Sequence, residues 1–127
     1  MRLVVLGAGA IGSLLGGLLS DVGLDITLVG RPPHVKAIQS KGLHVEGVSG
    51  KRTIRVKASR TLSAFRDHVD IVMCTVKAYD TKLAAIDAKP LIGKECLFLC
   101  MQNGLNVENE AAAVLGAAYV ARGVTNN

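Results

Sequence analysis

Gly7, Gly9 and Gly12 span six residues from first to last in "GAGAIG". Glycines at this spacing let a backbone turn sharply and bring peptide N–H groups against an anion. Further along, Arg31 and Lys77 can pair with phosphate or carboxylate, and Asn103 offers both a donor and an acceptor. These residue types recognise a charged ligand. No convincing acid for proton delivery accompanies them, so no catalytic residue is assigned. Cys74, Cys96 and Cys100 lack Cys-x-x-Cys spacing and a histidine cluster, so no metal is expected and the thiols read as reduced core residues of a cytoplasmic protein. His34, His44 and His68 read as structural or surface groups.

The glycines lie in a run of 18 uncharged residues, Leu3 to Ser20, long enough on a crude count for a membrane span. Gly7, Gly9, Gly12, Gly16 and Gly17 argue against a lone helix, each costing about 1 kcal/mol relative to alanine. A signal peptide is also a poor fit, because the Ala-rich part comes before the long apolar segment. The run instead divides in two. Leu3-Val4-Val5-Leu6 reads as a strand buried on both faces. From Ala10 onward, Ile11, Leu14, Leu15, Leu18, Leu19 and Val22 follow helical spacing. The turn Gly7-Ala8-Gly9 then joins strand to helix, the context that a dinucleotide-binding G-x-G-x-x-G needs. Gly7 permits the turn, Gly9 the approach of a pyrophosphate, and Gly12 close packing of helix on strand, with Ala8, Ala10 and Ile11 completing the loop. A phosphate loop of the nucleotide hydrolases would need lysine at position 13, where Ser13 stands.

"DITLVGR" supplies the next strand, with Ile26, Leu28 and Val29 as its apolar residues. An NAD site places an acid about 20 residues past the last glycine. Arg31 occupies that place, Asp25 lies at the strand's other end, and no further acid occurs until Glu46. Arginine there suits the 2′-phosphate of NADP(H), beside the plainer reading of a solvated strand-end cation. Pro32-Pro33 begins the next helix.

The remaining elements must bring these groups to one edge. A helix is expected over His34–Ser40 and a hairpin over "LHVEGVSGKRTIRV", pairing Leu43/Val45/Gly47 with Thr53–Val56. Strands follow at Asp70–Val76 and Cys96–Met101, separated by a helix broken near Pro90. A helix from Asn106 to Leu115 and a strand starting at Ala118-Tyr119-Val120 complete the chain. Alternating strands and helices in 127 residues predict one α/β domain of Rossmann type, a doubly wound, mostly parallel sheet with helices on both faces. Ligands bind past the carboxyl ends of such strands, which selects Gly7–Gly12, Arg31, Lys77–Asp80 and Gln102–Gly104. Lys77 also fits an exposed cation, and Asn103-Gly104 a plain turn.

The formal charge of +5 is concentrated between Arg31 and Arg66, where nine Lys/Arg face Glu46 alone. Without interleaved aromatics this reads as a basic face attracting an anionic ligand rather than a nucleic-acid surface.

With these segments in order, the chain resembles the N-terminal domain of ketopantoate reductases through "GAGAIGS", "LVGR", "VKAYDT", "QNGL" and "GVT". The resemblance implies NADPH-dependent reduction of 2-dehydropantoate to pantoate, toward pantothenate and coenzyme A. It assigns the pyrophosphate to Gly7–Gly12, the 2′-phosphate to Arg31, the cofactor also to Lys77, and the nicotinamide side and substrate to Asn103. The family's catalytic lysine belongs to a second, helical domain, expected to be absent from residues 1–127, so the chain is expected to bind cofactor and be inactive alone. Asn126-Asn127 departs from the family's wording and receives no role. The implied partner is a small-molecule 2-oxoacid, with a homodimer open and no membrane or nucleic acid. A nucleotide-sensing regulatory module and a reductase of another 2-oxoacid are the alternatives.

Overall fold

The computed structural model describes residues 1–47, 50–62, 65, 68–102 and 106–123. Strands β1 (Arg2–Leu6), β2 (Asp25–Val29), β5 (Lys57–Ser59), β6 (Ile71–Cys74), β7 (Leu97–Cys100) and β8 (Val120–Arg122) form one sheet in the order β5-β2-β1-β6-β7-β8. All its neighbours run parallel. Strands β3 (Leu43–Gly47) and β4 (Gly50–Ile54) make a separate antiparallel hairpin. Helices α1 (Ala10–Asp21), α2 (Pro32–Lys41), α3 (Thr81–Ala88) and α4 (Val107–Leu115) connect the strands.

Because successive strand side chains point to opposite faces, the sheet builds two cores. Val4, Val72, Cys74, Phe98 and Cys100 pack with Ala84, Ala85 and Ala88 of α3 and Ala111 and Leu115 of α4. On the other face Leu3, Val5, Ile26, Leu28 and Met73 meet Ile38 of α2 and Leu43, Val45 and Ile54 of the hairpin, with Leu15 and Leu19 of α1 packed against them. This is the doubly wound Rossmann arrangement. The chain crosses from one side of β1 to the other between β2 and β6, and such a switch opens a crevice at the strands' carboxyl ends.

Helix α1 forms where expected but turned about its axis. Leu14 and Leu18 are exposed and Val22 is 76% exposed, while Gly12, Gly16 and Gly17 face the protein. A Cβ on Gly16 would lie 2.4 Å from Leu28 Cδ2, and one on Gly17 2.6 Å from Leu43 Cδ2. The helix lies so close to the sheet that only residues without side chains fit. The leucine spacing therefore located the helix without identifying its buried face.

Other boundaries also move. Helix α2 begins at Pro32, as the Pro32-Pro33 pair predicted, and runs to Lys41, beyond the expected His34–Ser40 at both ends, since proline is suited to the first helical turn. Asn106 is the left-handed N-cap of α4 (φ 64°), not its first residue. The second hairpin strand is Gly50–Ile54 rather than Thr53–Val56, and Lys57–Ser59 then joins the main sheet as an edge strand. Three residues carrying a charge show no alternation, which is how edge strands avoid further pairing. The last strand starts at Val120, after a tight turn over Ala117–Tyr119.

At the amino ends of the strands, Asp25 receives Lys57 and, at 3.0 Å, Arg2. These two cations hold its carboxyl below the ordinary carboxylate range. Asp25 thus fastens β2 to its neighbours, on the edge away from the crevice.

Burial pushes the Cys74 thiol up to about 12 and those of Cys96 and Cys100 up to about 11. All three are free and buried. Because the thiolate is the reactive species, the native protein at pH 8 is expected to leave all three unlabelled by a thiol-specific disulfide reagent over minutes, with complete labelling in denaturant. Fast labelling of one thiol in the folded state would contradict this packing.

Candidate functional site

The β1–α1 turn is shaped by hydrogen bonds that engage its carbonyls. Gly7, at φ 107°, donates its N–H to Val29 O at 2.8 Å. Thr75, the first residue past β6, donates its hydroxyl to Gly7 O at 2.7 Å. Ser13 Oγ donates to Ala8 O at 3.1 Å, and His34 Nδ1 lies 3.1 Å from the same oxygen. As that carbonyl can only accept, His34 Nδ1 carries the proton. With Ser13 N bonded to Gly9 O at 2.9 Å, the N–H groups of the first turn of α1 have no preceding turn to bond. They and the positive end of the helix dipole suit an anion.

Three glycines make the turn fit its neighbours. A Cβ on Gly12 would fall 2.0 Å from Gly7 O, and one on Gly30 2.7 Å from Ala8 Cβ. A Cβ on Gly9 meets nothing within 4 Å, so packing does not require a glycine there. The open side of Gly9 faces a cleft of about 1030 Å³.

The cleft is walled by Leu6 to Gly9, by Val29 to Pro32 with His34, and by Arg60 to Leu62 with Phe65. It is also lined by Thr75 to Lys77, Tyr79, Asp80, Asp87, Pro90 and Leu91, from β6 onward. Of the residues singled out from the sequence, Gly7, Ala8, Gly9, Arg31 and Lys77 come together around it. Ala10 opens α1, and Ile11 and Gly12 lie in its first turn. Asn103 lies outside the described residues. Arg31 is the backbone N-cap of α2 and Lys77 that of the turn Ala78–Asp80; both are exposed.

Four contributors were not singled out. Thr75 and His34 fix the glycine turn, while Arg60 and Phe65 line the cleft. Thr75 had a usable signal, as the residue just past a buried strand on the ligand edge. Gln102 is buried and donates Nε2 to Thr81 Oγ1 at 2.7 Å, and Thr81 in turn donates to Ala78 O at 2.8 Å. That relay ties the segment after β7 to the turn that carries Lys77. Among the described residues no helix is long and apolar enough to cross a membrane, and no three His, Cys, Asp or Glu stand close enough to hold a metal.

Comparison with known proteins agrees with this geometry. The model of the family described as ketopantoate reductase PanE/ApbA matches residues 3–127. A 2-dehydropantoate 2-reductase of Pyrococcus horikoshii is 39% identical over the whole chain, which covers 40% of that protein. One of Archaeoglobus fulgidus is 38% identical over 98% of the chain and 39% of its own length. Among solved structures, a PanE/ApbA family ketopantoate reductase from Ralstonia eutropha JMP134 superimposes with a TM-score of 0.84 at 35% identity, over 98% of this chain and 40% of that one. A ternary structure of D-mandelate dehydrogenase with NADH and anilino(oxo)acetate gives a TM-score of 0.86 at 26% identity, over 98% and 40%. The chain therefore spans about two-fifths of the relatives it matches.

Proposed function

The chain belongs to the ketopantoate reductase PanE/ApbA family, and from that premise we propose that residues 1–127 form the NADP(H)-binding domain of a reductase converting 2-dehydropantoate to pantoate. The observation that carries the cofactor choice is Arg31, exposed on the cleft wall at the end of β2 where an NAD site would present a carboxylate. The cleft also fits a dinucleotide in the space left by Gly9 and in the unpaired N–H groups at the start of α1.

When bound, NADPH supplies the hydride. The chain's own residues bind and orient. Gly7 to Gly12 receive the pyrophosphate on backbone N–H groups, Arg31 pairs with the 2′-phosphate through its fork of donors, and Lys77 adds a cation near the phosphates. Asn103 is assigned to the nicotinamide side and the oxoacid, as a residue type that can both donate and accept. No catalytic residue is assigned among residues 1–127, which span about two-fifths of the relatives they match. The three reduced, buried thiols fit a cytoplasmic setting.

NADPH is expected to bind at least tenfold more tightly than NADH, with Arg31→Ala removing most of the difference, about 1.4 kcal/mol or more. Fluorescence titration of both cofactors tests this, and equal affinities would overturn the NADP assignment. A second reading, a reductase of another 2-oxoacid using NADH, draws on the likeness to D-mandelate dehydrogenase, whose structure holds NADH. The same titration separates the two.

A further inference from the structure

Resting on that NADP reading, we propose that Arg60 is a second specificity-determining residue for the 2′-phosphate, which is held between guanidinium groups delivered by two adjacent parallel strands. Residues Val29 and Ser59 are register partners in β2 and β5, and Gly30 N donates to Ser59 O at 3.2 Å. Arg60 follows Ser59 directly and Arg31 follows Val29 by two residues, so both leave the same edge of the sheet, from strands about 4.8 Å apart. Both line the one cleft.

Local bonds fix where Arg60 stands. Ser59 Oγ donates to Thr61 O at 3.0 Å and accepts from Thr61 N at 3.4 Å, closing a turn with Arg60 at its middle. Gln39 Nε2 of α2 donates to Ala58 O at 2.9 Å, holding β5 against the helix that starts after Arg31. The Ser59 and Gln39 side chains, bonded to backbone groups on either side of it, hold the position from which an exposed Arg60 leaves the strand.

Charge pairing separates the two ends of the sheet. At the amino ends, Arg2 and Lys57 meet Asp25, and on the hairpin Arg52 meets Asp21. At the carboxyl ends, no ion pair joins Arg31 or Arg60 to a carboxylate among the described residues; the acids lining the cleft, Asp80 and Asp87, follow β6, on the other side of β1. Two neighbouring unpaired cations repel each other, and a dianionic phosphate between them removes that cost and accepts from both forks. A 5′-linked phosphate over Gly9 cannot do this, because the glycine turn supplies its donors at the β1 end of the cleft.

The test uses small probes confined to the adenosine half of the cleft. Adenosine 2′,5′-bisphosphate and adenosine 5′-monophosphate are titrated calorimetrically into the chain and its Arg60→Ala, Arg60→Lys and Arg31→Ala variants. Arg60→Ala is expected to weaken the bisphosphate five- to tenfold and the monophosphate less than twofold, with Arg60→Lys in between. The unfolding temperature without ligand should be unchanged. If Arg60→Ala leaves the bisphosphate unaffected, or weakens both probes equally, while Arg31→Ala still abolishes discrimination, the role of Arg60 is overturned and the NADP reading stands. If the unaltered chain binds both probes equally, both fall.

Discussion

Gly12→Ala is expected to cost about 3 kcal/mol or more and to take cofactor binding with it. The added methyl would lie 2.0 Å from Gly7 O and 2.5 Å from Thr75 Oγ1. The first atom is backbone, and Gly7 is itself held by its N–H to Val29 O and by the Thr75 hydroxyl on its carbonyl. Neither can retreat without parting β1 from β2 or β6. Overpacking of side chains costs about 1–3 kcal/mol, and an obstacle made of hydrogen-bonded backbone should exceed that range. The better helix propensity of alanine returns only about 1 kcal/mol. Against a total stability of about 5–15 kcal/mol, a fall in unfolding temperature of roughly 10 °C is expected, at about 4 °C per kcal/mol. A shift below 2 °C would mean that α1 can lift off the sheet at small cost.

Gly9→Ala should do the reverse. Its φ of −80° is open to any residue, and its Cβ would meet nothing within 4 Å. The unfolding temperature is expected to stay level or rise slightly, because alanine restricts the unfolded chain. Cofactor affinity is expected to drop at least thirtyfold, about 2 kcal/mol, as the methyl occupies the space through which a phosphate reaches the turn. Calorimetric titration of NADPH alongside thermal unfolding reads both quantities. An alanine variant that is stable and binds within threefold of the unaltered chain would move the pyrophosphate off this loop. The two glycines differ in purpose, although they sit three residues apart: one is required by the packing of protein on protein, the other by an open space.

Much of this was legible in the sequence. The uncharged run divided correctly into β1 and α1 because a strand buried on both faces is continuously apolar, whereas a helix repeats at 3.6 residues. Arg31 could be placed on the ligand edge because strand direction fixes which end of "DITLVGR" faces the crevice. The edge strand Lys57–Ser59 could not be found, since an edge pairs on one side and buries little. Arg60 was therefore visible only as one of nine cations in a basic stretch, with no reason to prefer it over Arg55 or Lys51.

Local chemistry is what the sequence determined by itself: the turn that glycines permit, the order of strands and helices, and the cation that follows β2. Those depend on residues close along the chain, and their spacing records them. The rotation of α1 that buries glycines and exposes Leu14 and Leu18, the Thr75 and His34 bonds to the turn, and the placing of Arg60 and Arg31 on one cleft depend on residues far apart along the chain meeting in space, 68 positions apart for Thr75 and Gly7. Only the packed sheet decided these, because strand register, which no single segment carries, sets which side chains become neighbours.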